Sequence, residues 1–386
     1  MKNYLFLAAA ASMVLASCVS DETTNVEKQT KQKITFDSPV LYNNVNTRAN
    51  IYGEVGSHIY GSVAYTYPQE ESFIIYAVSH TEDFAGWANA TEAEFDGDSI
   101  MYDMNVDGWA PKNGDEYYFW ENGKKMSFAA TSPATLEQGE GWNGRSYGAD
   151  GLTITDFAVP TEASHQYDLL FSTRVCDQTS ADMMHDASYY SGIPLTFQHA
   201  LSSIRFSISN TSSEEVILTD ITLSGVKYKG TFKENLTENT ADYTQYEKGV
   251  NVNPQWTVAD DVIANPYVAF KGNIKFFESP RYVSALVEEI GTETDVVNQL
   301  LLMPQELTDE VILTVHYTVN GNENTKEVQL NLQKESVGNT LIDKWEMGKR
   351  YTYRLVYSTA SADKDKIYFA PGTEAWVDVD VIQIEL

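Results

Sequence analysis

The fold class is indicated most clearly by Val311-Ile-Leu-Thr-Val-His-Tyr-Thr-Val-Asn-Gly-Asn-Glu-Asn-Thr-Lys-Glu-Val-Gln-Leu-Asn-Leu332. Apolar and polar residues alternate up to Asn320-Gly321, and this period of two is typical of a half-buried β-strand. Asn-Gly favours a two-residue hairpin turn, because both residues tolerate positive φ. Apolar residues then return at Val328, Leu330 and Leu332. The sequence therefore predicts a β-hairpin here.

Alternation with a period of two continues outside this hairpin, and long stripes with the helical period of 3.6 residues are absent. The apolar positions of Leu195–Leu201 share one parity and those of Ile204–Ile208 share the other. This change predicts a bulge near Leu201–Ser203 in a continuous strand pair. The apolar run Phe73–Val78 predicts a strand buried on both faces. Because the strands do not alternate with helices, we expect an all-β fold of packed sandwiches rather than an α/β fold.

Length and charge restrict the classes of protein further. The chain has 386 residues, enough for about two domains of ~150 residues. It carries 26 Lys and Arg against 55 Asp and Glu, a net charge of −29. Phosphate binding needs clustered basic residues, so a nucleic-acid partner is excluded. A domain boundary is predicted near residue 190, after the polar stretch Asp177–Ser191, with an N-terminal domain over 49–190 and a C-terminal domain over 191–386.

The N-terminus predicts export. A basic start is followed by the apolar run Tyr4–Ala16, which is too short to span a bilayer but suits the core of a signal peptide over residues 1–17. The run ends in Leu15-Ala16-Ser17-Cys18, which looks like a bacterial lipobox and predicts acylation of Cys18. An ordinary signal peptide with a chance cysteine is the alternative. The polar segment Asp21–Lys33 is predicted to be a tether.

No arrangement of residues predicts catalysis, a metal site or a cofactor site. The six histidines lack close metal-binding spacing, and the GxSxG, P-loop and GxGxxG patterns are absent. His199 is expected to be partly buried and hydrogen-bonded, and His316 to face solvent. Asp98-Ser99-Ile100 resembles a short O-glycosylation motif, so Ser99 is a weak candidate for modification. The chain is predicted not to be an enzyme.

Two segments are candidates for strand exchange. The first is Lys33-Ile34-Thr35-Phe36-Asp37, where Ile34 and Phe36 share one face. It is followed by the connector Tyr42–Asn50, which is polar and contains arginine. Such a connector is expected to be exposed, as a protease site must be.

The second segment is the C-terminus, Trp376–Leu386. It carries apolar residues on one parity and then, after a phase change of one residue, on the other. These residues are Val377, Val379, Val381, Ile382, Ile384 and Leu386. The segment could form the last strand of its own domain, or it could complete the sheet of another subunit by strand addition.

Several motifs follow one another in an order and spacing that resemble a known family. They are the lipobox Leu15–Cys18, the strand Ile34–Phe36, Thr47-Arg48-Ala49, Tyr117–Trp120 with Met126–Ala129, Asp168–Phe171, Leu195–Ile204, Trp345–Tyr353, Ile367–Phe369 and Trp376. With these motifs the chain resembles the fimbrillin-family pilins, which are the subunits of type V pili of Bacteroidales.

The resemblance implies two tandem transthyretin-like β-sandwich domains of Greek-key type, behind a lipoprotein signal peptide. It also implies export to the outer membrane as a surface lipoprotein, with residues 18–48 forming the lipidated tether and a removable first strand. An arginine-specific protease would cut between Arg48 and Ala49. Loss of the strand with Ile34 and Phe36 would open a groove, and the terminal strand 376–386 of another subunit would fill it.

The partners implied are other copies of the chain or related pilins, the maturation protease and the lipid anchor. The location would then be a fimbrium that supports adhesion to a host or bacterial surface ligand. Shaft and tip roles stay open, as does an anchor subunit that is not cleaved. A monomeric surface lipoprotein that binds glycans through Trp87, Trp109 and Trp142 is the alternative from a different class.

Overall fold

The fold was taken from a computed structural model of the chain. It describes residues 34, 36, 40–41, 71–81, 93–104, 108–111, 123–134, 144–148, 151–172, 174–179, 192–193, 195–235, 237–238, 250–251, 253–260, 265–283, 299–333, 341–359 and 377–385. Within these residues the secondary structure consists of β-strands and two 3-10 helices, Ala163–His165 and Leu330–Leu332. The prediction of an all-β fold is confirmed.

The strands of the first half are β1 (Val40–Leu41), β2 (Ser72–His80), β3 (Ala93–Asp103), β4 (Gly108–Pro111), β5 (Lys125–Ser132), β6 (Gly144–Gly148), β7 (Gly151–Ala158), β8 (Leu170–Ser172), β9 (Val175–Gln178) and β10 (Thr196–His199). The strands of the second half are β11 (Ser202–Asn210), β12 (Val216–Ser224), β13 (Lys229–Lys233), β14 (Thr237–Glu238), β15 (Val250–Asn251), β16 (Gln255–Val258), β17 (Tyr267–Lys275), β18 (Arg281–Val283), β19 (Leu300–Leu302), β20 (Gln305–Glu306), β21 (Ile312–Val319), β22 (Asn322–Gln329), β23 (Lys344–Trp345), β24 (Lys349–Tyr357) and β25 (Val377–Glu385).

The first sheet contains eight strands in the order β1-β10-β8-β5-β2-β3-β4, with β9 paired to β5. Its interior strand β2 is buried at the four consecutive positions Ile75–Val78. A strand can bury consecutive residues only when both of its faces are covered, because neighbouring side chains point to opposite faces. The prediction for Phe73–Val78 is therefore confirmed.

A second sheet, β16-β13-β7-β6, draws strands from both halves of the chain. Gly230 in β13 pairs with Phe157 in β7, and Phe232 pairs with Ile154. These strands pack into one large apolar core that also contains residues of β2, β5 and β11. The predicted boundary near residue 190 lies outside the described residues and stays a prediction.

Two further sheets form the second half: β18-β11-β24-β25, with β19 paired to β11, and β17-β12-β21-β22. All nine residues of β11 are buried, and β11 runs parallel to β24. Phe206 of β11 stacks on Tyr353 of β24 with ring centroids 5.7 Å apart. The pairs β14-β15 and β20-β23 complete the described strands.

The predicted hairpin is present as β21 and β22. Val319 pairs with Asn322, and the two turn residues Asn320 and Gly321 have φ values of 49° and 81°. The expectation that Leu330 and Leu332 lie on the second strand is wrong, because both belong to the 3-10 helix Leu330–Leu332, where Leu330 is buried and Leu332 is 60% exposed. Strand β22 ends at Gln329, and the following 3-10 helix has three residues per turn, which breaks the alternation.

The bulge predicted near Leu201–Ser203 is also wrong. Strand β10 ends at His199 in the first sheet, and β11 begins at Ser202 in a different sheet. The two residues between them, Ala200 and Leu201, are both buried. The parity of the apolar residues changes here because the chain passes from one sheet to another.

Candidate functional site

The segment that contains Ile34 and Phe36 and leads into β1 is called the first strand below. It lies between the two ends of the eight-stranded sheet. Phe36 forms an antiparallel bridge to Trp109 in β4 and a parallel bridge to Ile193, which precedes β10. Further along, Val40 and Leu41 pair in parallel with Thr196 and Phe197. The segment therefore has a backbone neighbour on each side and joins the edge strand β4 to the opposite end of the sheet.

The side chains of this segment fill an apolar groove. Ile34 and Phe36 are each only 3% exposed, and they pack with apolar residues of β2, β3, β4, β5 and β10. Successive side chains of a strand point to opposite faces of the sheet, so each of these strands contributes every second side chain to the groove. The prediction that Ile34 and Phe36 share an apolar face agrees with their burial.

The pocket around Phe36 is made of aromatic rings. The ring of Phe36 lies 6.1 Å from Phe73, 6.1 Å from Phe95 and 6.3 Å from Phe128, measured between centroids. The interplanar angles are 83°, 77° and 86°, so all three contacts are edge-to-face. Edge-to-face pairs are favourable because the positive edge of one ring meets the negative face of the other. The pocket is thus shaped for a flat aromatic side chain.

Trp109 belongs to the wall of this groove. It is buried, contacts Phe73 at 5.5 Å and meets Tyr102 edge-on at 5.7 Å. A side chain covered in this way cannot offer a stacking platform to a glycan, which argues against the alternative of glycan binding through Trp109. Trp87 and Trp142 lie outside the described residues.

The C-terminal strand β25 lies at an edge of its own sheet. It runs parallel to β24, with Lys349 opposite Val377 and Leu355 opposite Ile384. The register shifts between the pairs Tyr351–Val379 and Tyr353–Ile382, where the sequence changes phase. In this fold the C-terminal segment therefore forms the last strand of its own sheet. The side chains of this strand are outside the description, as is Leu386.

The other predicted site residues fall outside the described residues. They are Cys18, Arg48 and Ala49. The described parts of the two exchangeable segments lie in different sheets, the first strand in the eight-stranded sheet and β25 beside β24. The structure therefore does not bring the two segments together within one chain.

The histidine and serine candidates have ordinary structural surroundings. The Nδ1 atom of His199 lies 2.8 Å from the Asp168 carboxylate, and its side chain is buried, so the expectation of a buried, hydrogen-bonded imidazole is confirmed. The Nδ1 atom of His316 lies 2.9 Å from the Thr325 hydroxyl on the exposed side of β21. The hydroxyl of Ser99 is buried, which disfavours its glycosylation in the folded chain.

Within the described ranges, no group of three or more His, Cys, Asp or Glu side chains could hold a metal ion. In the same part of the chain, no helix has the length and apolarity needed to cross a membrane.

A buried polar cluster that no sequence pattern indicates lies at the end of β13. Glu234 is 1% exposed, and its Oε2 accepts the backbone N–H of Leu152 at 2.6 Å. Tyr147 and the buried Arg174 also interact with this carboxylate. Burial raises the pKa of Glu234 to about 7, with the hydrogen bond from Leu152 and the charge of Arg174 opposing the increase. No sequence signal identifies this glutamate, because it stands between Lys233 and Asn235 in an ordinary polar run.

A family model described as fimbrillin-like matches residues 68–371. The chain belongs to the fimbrillin-like family. This confirms the resemblance found from the sequence motifs, and membership of the family supports a pilin or adhesin role at the cell surface. The matched range begins after the first strand and ends before β25, so neither exchangeable segment is part of the match.

Several solved structures resemble the chain. A candidate cell adhesion protein from Bacteroides uniformis is 10% identical, with 85% of this chain and 94% of that chain covered and a TM-score of 0.43. A second one, from Bacteroides ovatus, is 14% identical, with coverages of 84% and 92% and a TM-score of 0.41. A fimbrial protein from Bacteroides ovatus is 14% identical over 92% of this chain and 50% of its own, with a TM-score of 0.32. No curated protein matches the chain. The family assignment rests on the family model rather than on these structures.

Proposed function

We propose that this fimbrillin-like chain is a structural subunit, of the shaft or the tip, of a cell-surface fimbria that supports adhesion. The precursor is exported to the outer membrane as a lipoprotein acylated at Cys18. Cleavage between Arg48 and Ala49 releases the tether with the first strand. The subunit then polymerises by donor-strand exchange with other copies or related pilins.

The observation that carries this proposal is the position of Phe36 between two strands. Its backbone bridges Trp109 on one side and Ile193 on the other, while its side chain occupies an aromatic pocket. Removing this segment would leave unpaired N–H and C=O groups on both neighbours and an open apolar groove between them. Unpaired edges and apolar pockets together bind an extended, alternating strand.

The C-terminal strand is the proposed donor. In the precursor it forms backbone pairs with β24 at the edge of a sheet, so it can leave without opening the centre of that sheet. Its six apolar residues, at 377, 379, 381, 382, 384 and 386, provide side chains for the groove. Each apolar side chain buried there contributes roughly 1.5–3 kcal/mol before the cost of ordering the strand.

The proposed cleavage site distinguishes the possible roles within a fimbria. An anchor subunit would retain its lipid and its first strand, whereas shaft and tip subunits lose both. The connector Tyr42–Asn50 carries Arg48 in a polar context, which supports a shaft or tip role. The two-domain organisation, with a boundary near residue 190, is part of the same proposal.

Digestion of the purified precursor with an arginine-specific protease tests the proposal. The expected product begins at Ala49, and unheated SDS gels should then show a ladder of detergent-resistant oligomers. Arg48→Lys is the matched control, because it keeps the positive charge and resists the protease. Deleting residues 377–386 should remove the ladder and leave the cleavage unchanged. A product that begins at Ala49 and stays monomeric would contradict strand exchange between copies of this chain.

A further inference from the structure

The groove around the first strand is more selective than an ordinary apolar groove. Phe36 is held by three edge-to-face contacts, to Phe73, Phe95 and Phe128, and lies beside Trp109. A smaller aliphatic side chain in the same place would lose these ring contacts and leave part of the pocket empty. The pocket therefore discriminates between an aromatic and an aliphatic donor residue.

The backbone bridges also fix how a donor strand enters. Phe36 is antiparallel to Trp109 and parallel to Ile193, so a replacement that keeps both ladders runs in the direction of the first strand. Side chains on one face of a strand recur at every second residue. A donor strand must therefore place one side chain where Ile34 lies and the side chain two positions later where Phe36 lies.

The C-terminal tail of this chain does not supply that pair. Within residues 377–386 every apolar residue is Val, Ile or Leu. Trp376 is the aromatic residue at the start of the tail, but the residue two positions before it is Glu374. Seating Trp376 in the pocket would bury the Glu374 carboxylate in the place of Ile34, which is costly without a partner. In the reverse direction Asp378 would take the place of Ile34, with the same cost.

We propose that the groove selects its donor through an aromatic side chain at the Phe36 position. The preferred partner is then a terminal strand of a different pilin, with an apolar residue followed two positions later by an aromatic one. The tail of a second copy of this chain is the weaker donor. This inference rests on the proposed function, because the groove opens only when the first strand leaves.

Labelled peptides added to the full chain during cleavage by the arginine-specific protease test the selectivity. The peptide of residues 33–41 reports whether the groove opens, and its F36L variant should bind roughly tenfold more weakly or worse. The tail peptide of residues 376–386 should bind weakly. Its I384F variant places phenylalanine two positions after Ile382 and should gain roughly tenfold or more. The E385F variant is the matched control, since it adds the same ring on the opposite face but two positions after the polar Gln383, and it should gain nothing.

The outcomes separate this inference from the proposed function. If the native tail binds as tightly as its I384F variant, or if W376A weakens the tail tenfold, the inference is wrong and strand exchange stands. If the 33–41 peptide does not bind after cleavage, the groove has not opened and the proposed function itself is contradicted. In the full chain, I384F should lengthen the oligomer ladder after cleavage, and an unchanged ladder would count against the inference.

Discussion

The two terminal strands of this chain are held in different ways. The first strand has a backbone neighbour on each side, and its side chains Ile34 and Phe36 lie in a closed apolar groove. The last strand, β25, extends the edge of a sheet by pairing with β24. Removing the first strand therefore opens a core, whereas removing the last one exposes a single sheet edge. In the proposed fimbria, the strand that is cheaper to release is the donor and the more deeply held strand is cut away.

This contrast explains why proteolysis would be needed at one end only. A strand bound on two sides and by aromatic packing does not leave spontaneously at a useful rate, so cutting the chain behind it would make its release permanent. An edge strand with neighbours on one side can separate by a local opening of low free energy. Four variants of the chain test this contrast.

Phe36→Ala is expected to have the largest effect on the stability of the uncut precursor. It removes a buried ring with three aromatic contacts, so the free energy of unfolding should fall by about 3–5 kcal/mol. Denaturant unfolding measures this loss. Leu332→Ala is the control, because that side chain is 60% exposed and its removal should cost less than about 0.5 kcal/mol. Equal losses for the two variants would show that the first strand is not a core element.

Glu234→Gln should change how the free energy of unfolding of the chain depends on pH. The folded chain holds the pKa of Glu234 at about 7, above its ordinary value of 4.5. Its contribution to stability is therefore fully present below pH 4.5 and is lost as the pH rises through 7. The loss amounts to roughly 3 kcal/mol on the alkaline side.

Denaturant unfolding between pH 4.5 and 9 compares the wild type with Glu234→Gln. The variant should lack this decrease and become the more stable of the two proteins above pH 7. Glu323→Gln, at an exposed position of β22, is the matched control and should follow the wild type. If Glu234→Gln shows the same pH dependence of unfolding as the wild type, the buried carboxylate does not cause that dependence.

Deletion of residues 377–386 should destabilise the precursor less than Phe36→Ala does. The lost ladder bonds contribute roughly 0.5–1.5 kcal/mol each, and the ordering entropy of the strand, roughly 1–2 kcal/mol per residue, offsets much of that. We expect a net loss of about 2 kcal/mol in denaturant unfolding. Amide exchange should increase along β24 and stay unchanged in β2. Faster exchange in β2 would mean that the tail supports the groove, which contradicts the contrast between the two ends.

Asn320→Ala should have the smallest effect and leave strand exchange intact. Asn320 has a φ of 49°, and its Oδ1 accepts the backbone N–H of Glu215 at 3.1 Å. Alanine tolerates this backbone poorly, so we expect a loss of about 1 kcal/mol. Asn320→Gly is the control, since it keeps the backbone free of strain and removes only the hydrogen bond. The oligomer ladder after cleavage should be the same for both variants, and a lost ladder would tie exchange to overall stability instead of to the terminal strands.

Much of the local structure could be predicted from the sequence, for a physical reason that the hairpin shows clearly. In β21 and β22 the partners are neighbours in the chain, and the turn type depends on Asn320 and Gly321 alone. The phase change in β25 was also visible, because each residue faces one side or the other. The same alternation placed Ile34 and Phe36 on one face, and both side chains are buried.

Alternation was misleading where a distant partner decided the outcome. The parity change after His199 marks a crossing between sheets and not a bulge, because β10 pairs with β8 while β11 pairs with β24. Glu234 is buried because its carboxylate meets Leu152, which lies 82 residues earlier in the chain. The partner strand β24 of β11 and the partner Leu152 of Glu234 are both far away in the chain, so no local sequence pattern indicates these contacts.

Residues close together in the chain specify that this protein is all β, that its two terminal segments are alternating strands, and which of their residues are apolar. These properties depend on the two-residue period of a strand, which is written in neighbouring residues. Only the packing of the sheets places Phe36 between β4 and Ile193 among three phenylalanine rings, and β25 at an edge beside β24. Strand partners and pockets come from residues far apart in the chain, so their geometry arises only when the sheets pack together.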